Sequence, residues 1–215
     1  MFILCDFDDT AATQNVAVLL LERFHPGGWR AAADRFRRGE ISLAEYQEQA
    51  FAGVSAPQEQ QAEHVRRAAA LRPGFVELAA HCKREGIGLG VVSHGLDYYI
   101  RALLNENGLP HVGVQAAERS PQTGTYSYRW ADPACGWYPG NCKCSAVRAH
   151  RQAGHAVLYA GDGASDACPA READFVFARD VLLSVCRAEG IPHRELTDFY
   201  VVLDYLRTAP TEARS

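Results

Sequence analysis

The sequence predicts an α/β fold, a parallel sheet with helices on both faces and a helical insertion placed directly after the first strand. Three observations predict it. Short apolar runs alternate with helical patterns along most of the chain, and the stretch from Thr13 to about Leu71 holds helical patterns without a convincing strand. Each apolar run also ends in polar residues able to do chemistry, as expected where ligands sit at the carboxyl ends of parallel strands.

Phe2 to Cys5 is an apolar run that stops at carboxylates, the pattern of a strand buried on both faces. In the stretch that follows, Val16, Leu19, Leu20 and Phe24 recur at helical spacing, and Ser42-Leu43-Ala44-Glu45 is a capping box that starts a further helix. Gly27-Gly28 and Gly39 separate these helices. The expected division is therefore a core of residues 1–12 and 72–215, with residues 13–71 as a helical cap. Arg72-Pro73-Gly74 punctuates the return to the core, Phe75 to Arg84 is helical, and Gly86 stops it. Ile87 to Val92 reads as the next strand, ending at Ser93-His94-Gly95, with Leu96 to Glu106 as the helix after it. Val112 to Ala116 is a short strand. Tyr126, Tyr128 and Trp130 alternate with Ser127 and Arg129 at period two, which predicts an exposed hairpin. Ser145 to Gln152 is helical, Ala156 to Ala160 is a strand entering Gly161-Asp162-Gly163, and Phe175 to Phe177 reads as the last core strand. Arg179 to Glu189 and Phe199 to Leu206 complete the chain, and the tail from Thr208 to Ser215 is expected to fray.

Composition narrows the function classes. With 215 residues, 47% hydrophobic and 22% charged, the chain can bury a full core. A formal charge of −4 leaves no basic footprint for nucleic acid, and no apolar run approaches a membrane span. The apolar start at Met1 to Cys5 lacks the basic leader and the length of a signal peptide, so a cytoplasmic location is expected. Seven cysteines, an odd number, suit buried thiols in a reducing compartment better than a disulfide framework. Cys135, Cys142 and Cys144 crowd one loop, a pattern open to zinc or redox chemistry, but a structural zinc site takes four ligands and the spacing offers three. Only Lys83 and Lys143 are lysines.

The chemistry gathers at four strand ends. Asp6 and Asp8 are two apart on an extended segment, so both carboxylates address one ligand. One can attack phosphorus when a metal withdraws charge from it, and the other can protonate a departing alkoxide. Ser93, followed by backbone N–H groups at an expected helix start, would cradle an anion. Lys143 stands where it can neutralise a phosphoryl group. Gly161-Asp162-Gly163-Ala164-Ser165-Asp166 combines a tight turn with two carboxylates suited to Mg²⁺. Each motif alone has an ordinary structural reading as an acidic turn, a cap or a solvated lysine; their order along successive strand ends is what points to a site.

In these motifs the sequence resembles the haloacid dehalogenase superfamily, in its phosphoserine-phosphatase-like branch. The D-x-D-x-T pattern is Asp6-Phe7-Asp8-Asp9-Thr10, the hydroxyl is Ser93, the lysine is Lys143, and the G-D-x-x-x-D loop is Gly161-Asp162 through Asp166. Phe177-Ala178-Arg179-Asp180, Leu182-Leu183, Cys186 and the cysteine-flanked Lys143 further resemble the branch's methionine-salvage phosphatases, which act on 2-hydroxy-3-keto-5-methylthiopentenyl-1-phosphate. The resemblance implies a Rossmann-like core and Mg²⁺-dependent phosphomonoester hydrolysis. It implies Asp6 as nucleophile, Asp8 as general acid and base, Ser93 and Lys143 on the phosphoryl group, and a metal held by Asp6, the Asp8 carbonyl, Asp162 and Asp166. Asn15, Ser93, His94 and Gly95 are the expected substrate contacts, with the aromatic segment near Tyr126 a further candidate. Asp9 departs from a position often glycine in the family, and Asn15 stands where phosphoserine phosphatases carry a carboxylate for the substrate ammonium. The expected partner is a small phosphorylated metabolite, with no nucleic acid and no membrane; oligomeric state is not legible. A phosphoserine phosphatase or a phosphotransferase of the same fold, a phosphoacceptor switch and a non-catalytic phosphometabolite-binding protein are the competing readings. A switch needs no cap of some 60 residues, and its acid pair would be adjacent.

Overall fold

The computed structural model describes residues 1–208. The expectation for the tail lies outside them beyond Thr208, which is helical. The strands are β1 (Phe2–Cys5), β2 (Gly88–Leu96), β3 (Gly113–Arg119), β4 (Tyr126–Ser127), β5 (Val157–Gly161), β6 (Phe175–Ala178) and β7 (His193–Glu195). They form a seven-stranded sheet in the order β4-β3-β2-β1-β5-β6-β7, parallel except for the antiparallel β3–β4 pair. From β1 the chain builds outward on one side through β2 and β3, then returns to β5 on the other. The carboxyl end of β1 is therefore the point where strand order reverses, and a crevice opens there.

Period-two geometry explains why β1 has no polar face. Ile3 and Cys5 enter one apolar cluster and Leu4 the other, all three almost fully buried. Helices α5 (Phe75–Glu85), α6 (Asp97–Glu106) and α10 (Tyr200–Thr208) contribute Leu78, Leu103 and Val202 to the first cluster; α7 (Lys143–Gln152), α8 (Ala167–Glu172) and α9 (Asp180–Glu189) contribute Val147, Ala170 and Leu182 to the second. Gly74, before α5, has φ of 84°, and a Cβ there would sit 2.7 Å from the Tyr200 amide nitrogen, so only glycine fits.

Four helices lie between Ala12 and Leu71: α1 (Val16–Phe24), α2 (Arg30–Arg37), α3 (Leu43–Ala52) and α4 (Gln58–Ala68). Asn15 caps α1 through its side chain, and Ser42 with Glu45 forms the expected capping box of α3, an arrangement worth about 1 kcal/mol. The two crossings between this segment and the sheet lie side by side, joined by an Ala12–Leu71 bridge.

Several expectations are corrected. β2 does not stop at Val92 but runs to Leu96 through a register shift between Val92 and Leu96, so Ser93 is not at a helix start. The hairpin at Tyr126 is only two residues of strand, and its aromatics are not free: the Tyr126 and Tyr128 hydroxyls donate to the Gln47 and Ala44 carbonyls of α3 at 3.4 and 3.3 Å. Phe175–Ala178 is not the last strand, because the short β7 pairs beyond it. Cys144 and Cys168 form a disulfide across 24 residues, a pairing the spacing did not indicate; of the others, Cys5, Cys82, Cys142 and Cys186 are buried as expected and Cys135 is half-buried. No helix among the described residues is long and apolar enough to cross a membrane.

Candidate active site

Asp6 follows β1 directly, and its amide donates to Ala160 of β5 at 2.9 Å, which anchors this carboxylate-bearing residue between the two strands. The next residues make one irregular turn in which Asp9 adopts φ of 59° and ψ of −4°. That left-handed conformation favours glycine, and aspartate is one of the few other residues that tolerates it. Arg72 clamps the turn, donating to the Thr10 and Asp9 carbonyls at 2.8 and 2.7 Å.

Lys143, the first residue of α7, is 3% exposed and lies 2.7 Å from both Asp6 Oδ1 and Asp166 Oδ1. Burial alone would lower its pKa, but the Asp166 and Asp6 carboxylates outweigh it and hold the ammonium charged. Asp166 is saturated: it also accepts from the Tyr159 hydroxyl at 2.6 Å and from the Asp162 and Gly163 amides at 3.1 and 2.9 Å. Burial opposes its ionisation, yet Lys143 keeps its pKa below the usual carboxylate range. Asp162 is steadied by the Thr10 hydroxyl at 2.7 Å.

Carboxylate oxygens of Asp6, Asp162 and Asp166 all lie within 4.8 Å of one another. Two of these carboxylates, Asp6 and Asp166, share one ammonium and Asp162 pairs with none among the described residues, and burial together with the Asp166 charge pushes the Asp6 carboxyl upward despite Lys143. This excess of negative charge, presented by hard oxygens, fits a divalent cation such as Mg²⁺. The Asp8 side chain belongs to a different network. Its Oδ1 accepts from the Val16 amide at 2.6 Å at the start of α1, and its Oδ2 from the Tyr99 hydroxyl at 3.1 Å. Burial raises its pKa to about 6, against the pull of those hydrogen bonds. A carboxyl so placed exchanges a proton near neutrality.

Ser93 Oγ accepts from the Gly95 amide at 2.9 Å, so the expected anion cradle is an irregular segment of strand and not a helix terminus. The Asn141 side chain secures it by donating to the Ser93 carbonyl at 2.9 Å. Gly95 has no room for a side chain: a Cβ would fall 1.9 Å from the Tyr99 hydroxyl and 3.1 Å from Asp8 Oδ2. Gly95→Ala is expected to cost about 1–3 kcal/mol in urea unfolding, because the fully buried Tyr99 must leave its place. A cost below about 0.5 kcal/mol would mean that the segment yields freely.

These groups face one cavity of about 260 Å³. Its floor holds Asp6, Asp8, Asp9, Ser93, Lys143 and Asp162, with His94 and Gly95 beside them; the helical segment adds Asn15, Val18, Phe36, Leu43, Tyr46, Gln47 and Phe51, and the loop before α7 adds Trp137. Every residue expected at the site lines the cavity except Asp166, which lies behind Lys143. Tyr126, Tyr128 and Trp130 do not line it. Asn15 is partly committed as the α1 cap, its Oδ1 accepting from Val18 at 3.0 Å and its Nδ2 donating to Asp9 at 3.3 Å. Burial, with Lys143 nearby, lowers the His94 pKa to about 3 and keeps the imidazole neutral. Its Nε2 and Gln47 Oε1 are buried without partners among the described residues. Thr10, Arg72, Tyr99, Tyr159, Gln47 and Trp137 escaped the sequence reading. Only Thr10, inside the acidic motif, carried a local signal; the rest are brought to the site by tertiary contacts.

A parallel sheet with an acid pair at its switch point, a buried lysine and a second acid pair defines an α/β enzyme of the phosphatase class. The haloacid dehalogenase-like hydrolase profile matches residues 3–171, and the chain belongs to that family. It is 32% identical to the 2-hydroxy-3-keto-5-methylthiopentenyl-1-phosphate phosphatase of Geobacillus kaustophilus, over 96% of each chain. It is 30% identical to the enzyme of the same name from Exiguobacterium sibiricum, over 98% of each. Among solved structures, a phospho-aspartyl intermediate analogue of phosphoserine phosphatase superposes with a TM-score of 0.68 at 17% identity, covering 95% of this chain and 97% of that one. A family hydrolase from Salmonella enterica gives 0.74 at 15% identity, covering 97% and 72%. At such identities these two likenesses show the fold.

Proposed function

We propose that the protein is a Mg²⁺-dependent phosphomonoesterase for 2-hydroxy-3-keto-5-methylthiopentenyl-1-phosphate, working through an aspartyl-phosphate on Asp6. The carrying observation is the chemistry of the cavity wall contributed by α1 to α3. It supplies Val18, Phe36, Leu43, Tyr46 and Phe51 but no charged side chain. Phosphoserine would bring an ammonium and a carboxylate against that wall, each needing a partner. A methylthioalkyl chain matches the apolar wall completed by Trp137, whose ring stands 6.1 Å from Phe36. The unpartnered His94 Nε2 and Gln47 Oε1 suit the hydroxyl and keto groups between chain and phosphate.

In this reading residues 13–71 form a cap that closes over the site, supported by the paired crossings at Ala12 and Leu71. Lys143 and Ser93 hold the phosphoryl oxygens while Asp6 attacks phosphorus in line. Asp8 delivers its proton to the departing oxygen, then takes one from the water that hydrolyses the aspartyl-phosphate. Asp6, the Asp8 carbonyl and Asp162 would hold Mg²⁺, with Asp166 aligning Lys143; the bound ion withdraws charge from the phosphoryl group.

The test compares phosphate release from this enol phosphate and from phosphoserine, with and without Mg²⁺. We expect kcat/KM to favour the enol phosphate at least ~100-fold, and Trp137→Ala to raise KM by roughly 10-fold with little change for p-nitrophenyl phosphate. Preference for phosphoserine, or equal rates on both, would overturn the substrate assignment.

A further inference from the structure

The cysteine-rich loop plays no part in the phosphatase reading, yet the fold gathers more thiols there than the sequence spacing suggests. The sulfurs of Cys135, Cys142 and Cys144 lie within 4.8 Å of one another. Cys168, near the start of α8, is bonded to Cys144 and so brings a fourth sulfur beside one member of that cluster. The four come from three separate segments: the loop before α7, the beginning of α7, and α8. The remaining cysteines, Cys5, Cys82 and Cys186, are buried in strand or helix positions of the core.

Four thiolates on one tetrahedral ion at about 2.3 Å stand roughly 3.8 Å apart, which the present spacing of the first three accommodates. Cys142 caps the ten-residue α7, its sulfur accepting from the Ser145 amide at 3.3 Å, and a helix start stabilises negative charge. Arg148, on the same helix, holds Asp132 of the preceding loop at 2.9 Å. Cys142 and Cys144 are buried while Cys135 is half-buried, leaving a way in.

We propose that Cys135, Cys142, Cys144 and Cys168 form a structural zinc site in the reduced protein, and that the Cys144–Cys168 disulfide is the metal-free, oxidised form of that site. A dithiol gives the disulfide two electrons and two protons and is itself oxidised to a disulfide; Zn²⁺ then displaces the four thiol protons. The ion would pin the loop and α8 to the start of α7. Lys143 lies between two of the ligands, and Asp166 stands two residues before a third, so metal loading would steady the Lys143–Asp166 pair without touching substrate.

The test uses the full chain, reduced anaerobically with a phosphine and stripped of metal, with Co²⁺ as the spectroscopic probe. One equivalent is expected to produce thiolate-to-cobalt charge-transfer absorption that Zn²⁺ abolishes by displacement. Cys135→Ser and Cys142→Ser should each lose most of that absorption, while Cys82→Ser and Asp162→Asn retain it; the last separates this site from the carboxylates, whatever the fate of the phosphatase reading. In the wild-type chain, Zn²⁺ should also slow alkylation of Cys135 and Cys142 at least ~10-fold, measured by mass spectrometry. No charge-transfer absorption at one equivalent, absorption that survives both serine substitutions, or alkylation indifferent to Zn²⁺ would each overturn the proposal.

Discussion

Asp6→Asn is expected to reduce kcat by about 10⁴-fold or more, because it removes the nucleophile and preserves nearly everything else. The amide has the shape of the carboxylate, and its oxygen can still accept from Lys143, which stands 2.7 Å from Asp6 Oδ1. What it loses is the electron pair that attacks phosphorus. The check is a single-turnover measurement, with acid quenching and peptide mass spectrometry for a phosphoryl adduct. Wild-type chain should carry the adduct on the peptide containing Asp6, and the variant should carry none. A variant that turns over at the native rate would end the assignment of Asp6.

Lys143→Met is expected to destabilise the protein by about 3–5 kcal/mol at neutral pH, an effect unusually large for one substitution. Methionine fills much of the lysine's volume, so the loss is electrostatic. It leaves Asp6 and Asp166 without the ammonium they share, inside a pocket where Lys143 and Asp166 are almost completely buried. Urea unfolding measures the effect. Repeating it with millimolar Mg²⁺ should recover part of the loss, since a divalent cation at Asp6 and Asp162 replaces some of the missing charge. A loss under about 1 kcal/mol would show that the carboxylates find protons or water at little cost, and that Lys143 does not hold the site together.

Asp6 and Asp8 are only two positions apart, yet the fold gives them different environments. Asp6 faces Lys143 and the neighbouring acids, whereas Asp8 faces the amides opening α1 and the Tyr99 hydroxyl. Sequence spacing put both at one site, but it held no information on this division of labour. The division depends on α1 beginning beside β1, and it ties the proton-transfer group to the proposed cap.

Local signals were sufficient for much of the architecture. The apolar runs at Phe2, Val157 and Phe175, the capping box at Ser42 and the stop at Gly86 act over a few residues, so their consequences are legible in order along the chain. The true extent of β2 and the existence of β7 were not, because pairing with β3 and β6 decides them. The acid pair and Asp162 were readable because a parallel sheet delivers its strand ends to one edge, whereas Ser93 sits within β2 and Lys143 reaches the same site from the start of α7. Only tertiary structure decided the apolar wall from Val18 to Phe51, the saturation of Asp166 by Tyr159, and the meeting of Cys168 with Cys144. Those contacts join residues far apart in sequence, and no local propensity or spacing carries the distance between segments that meet only when the sheet closes.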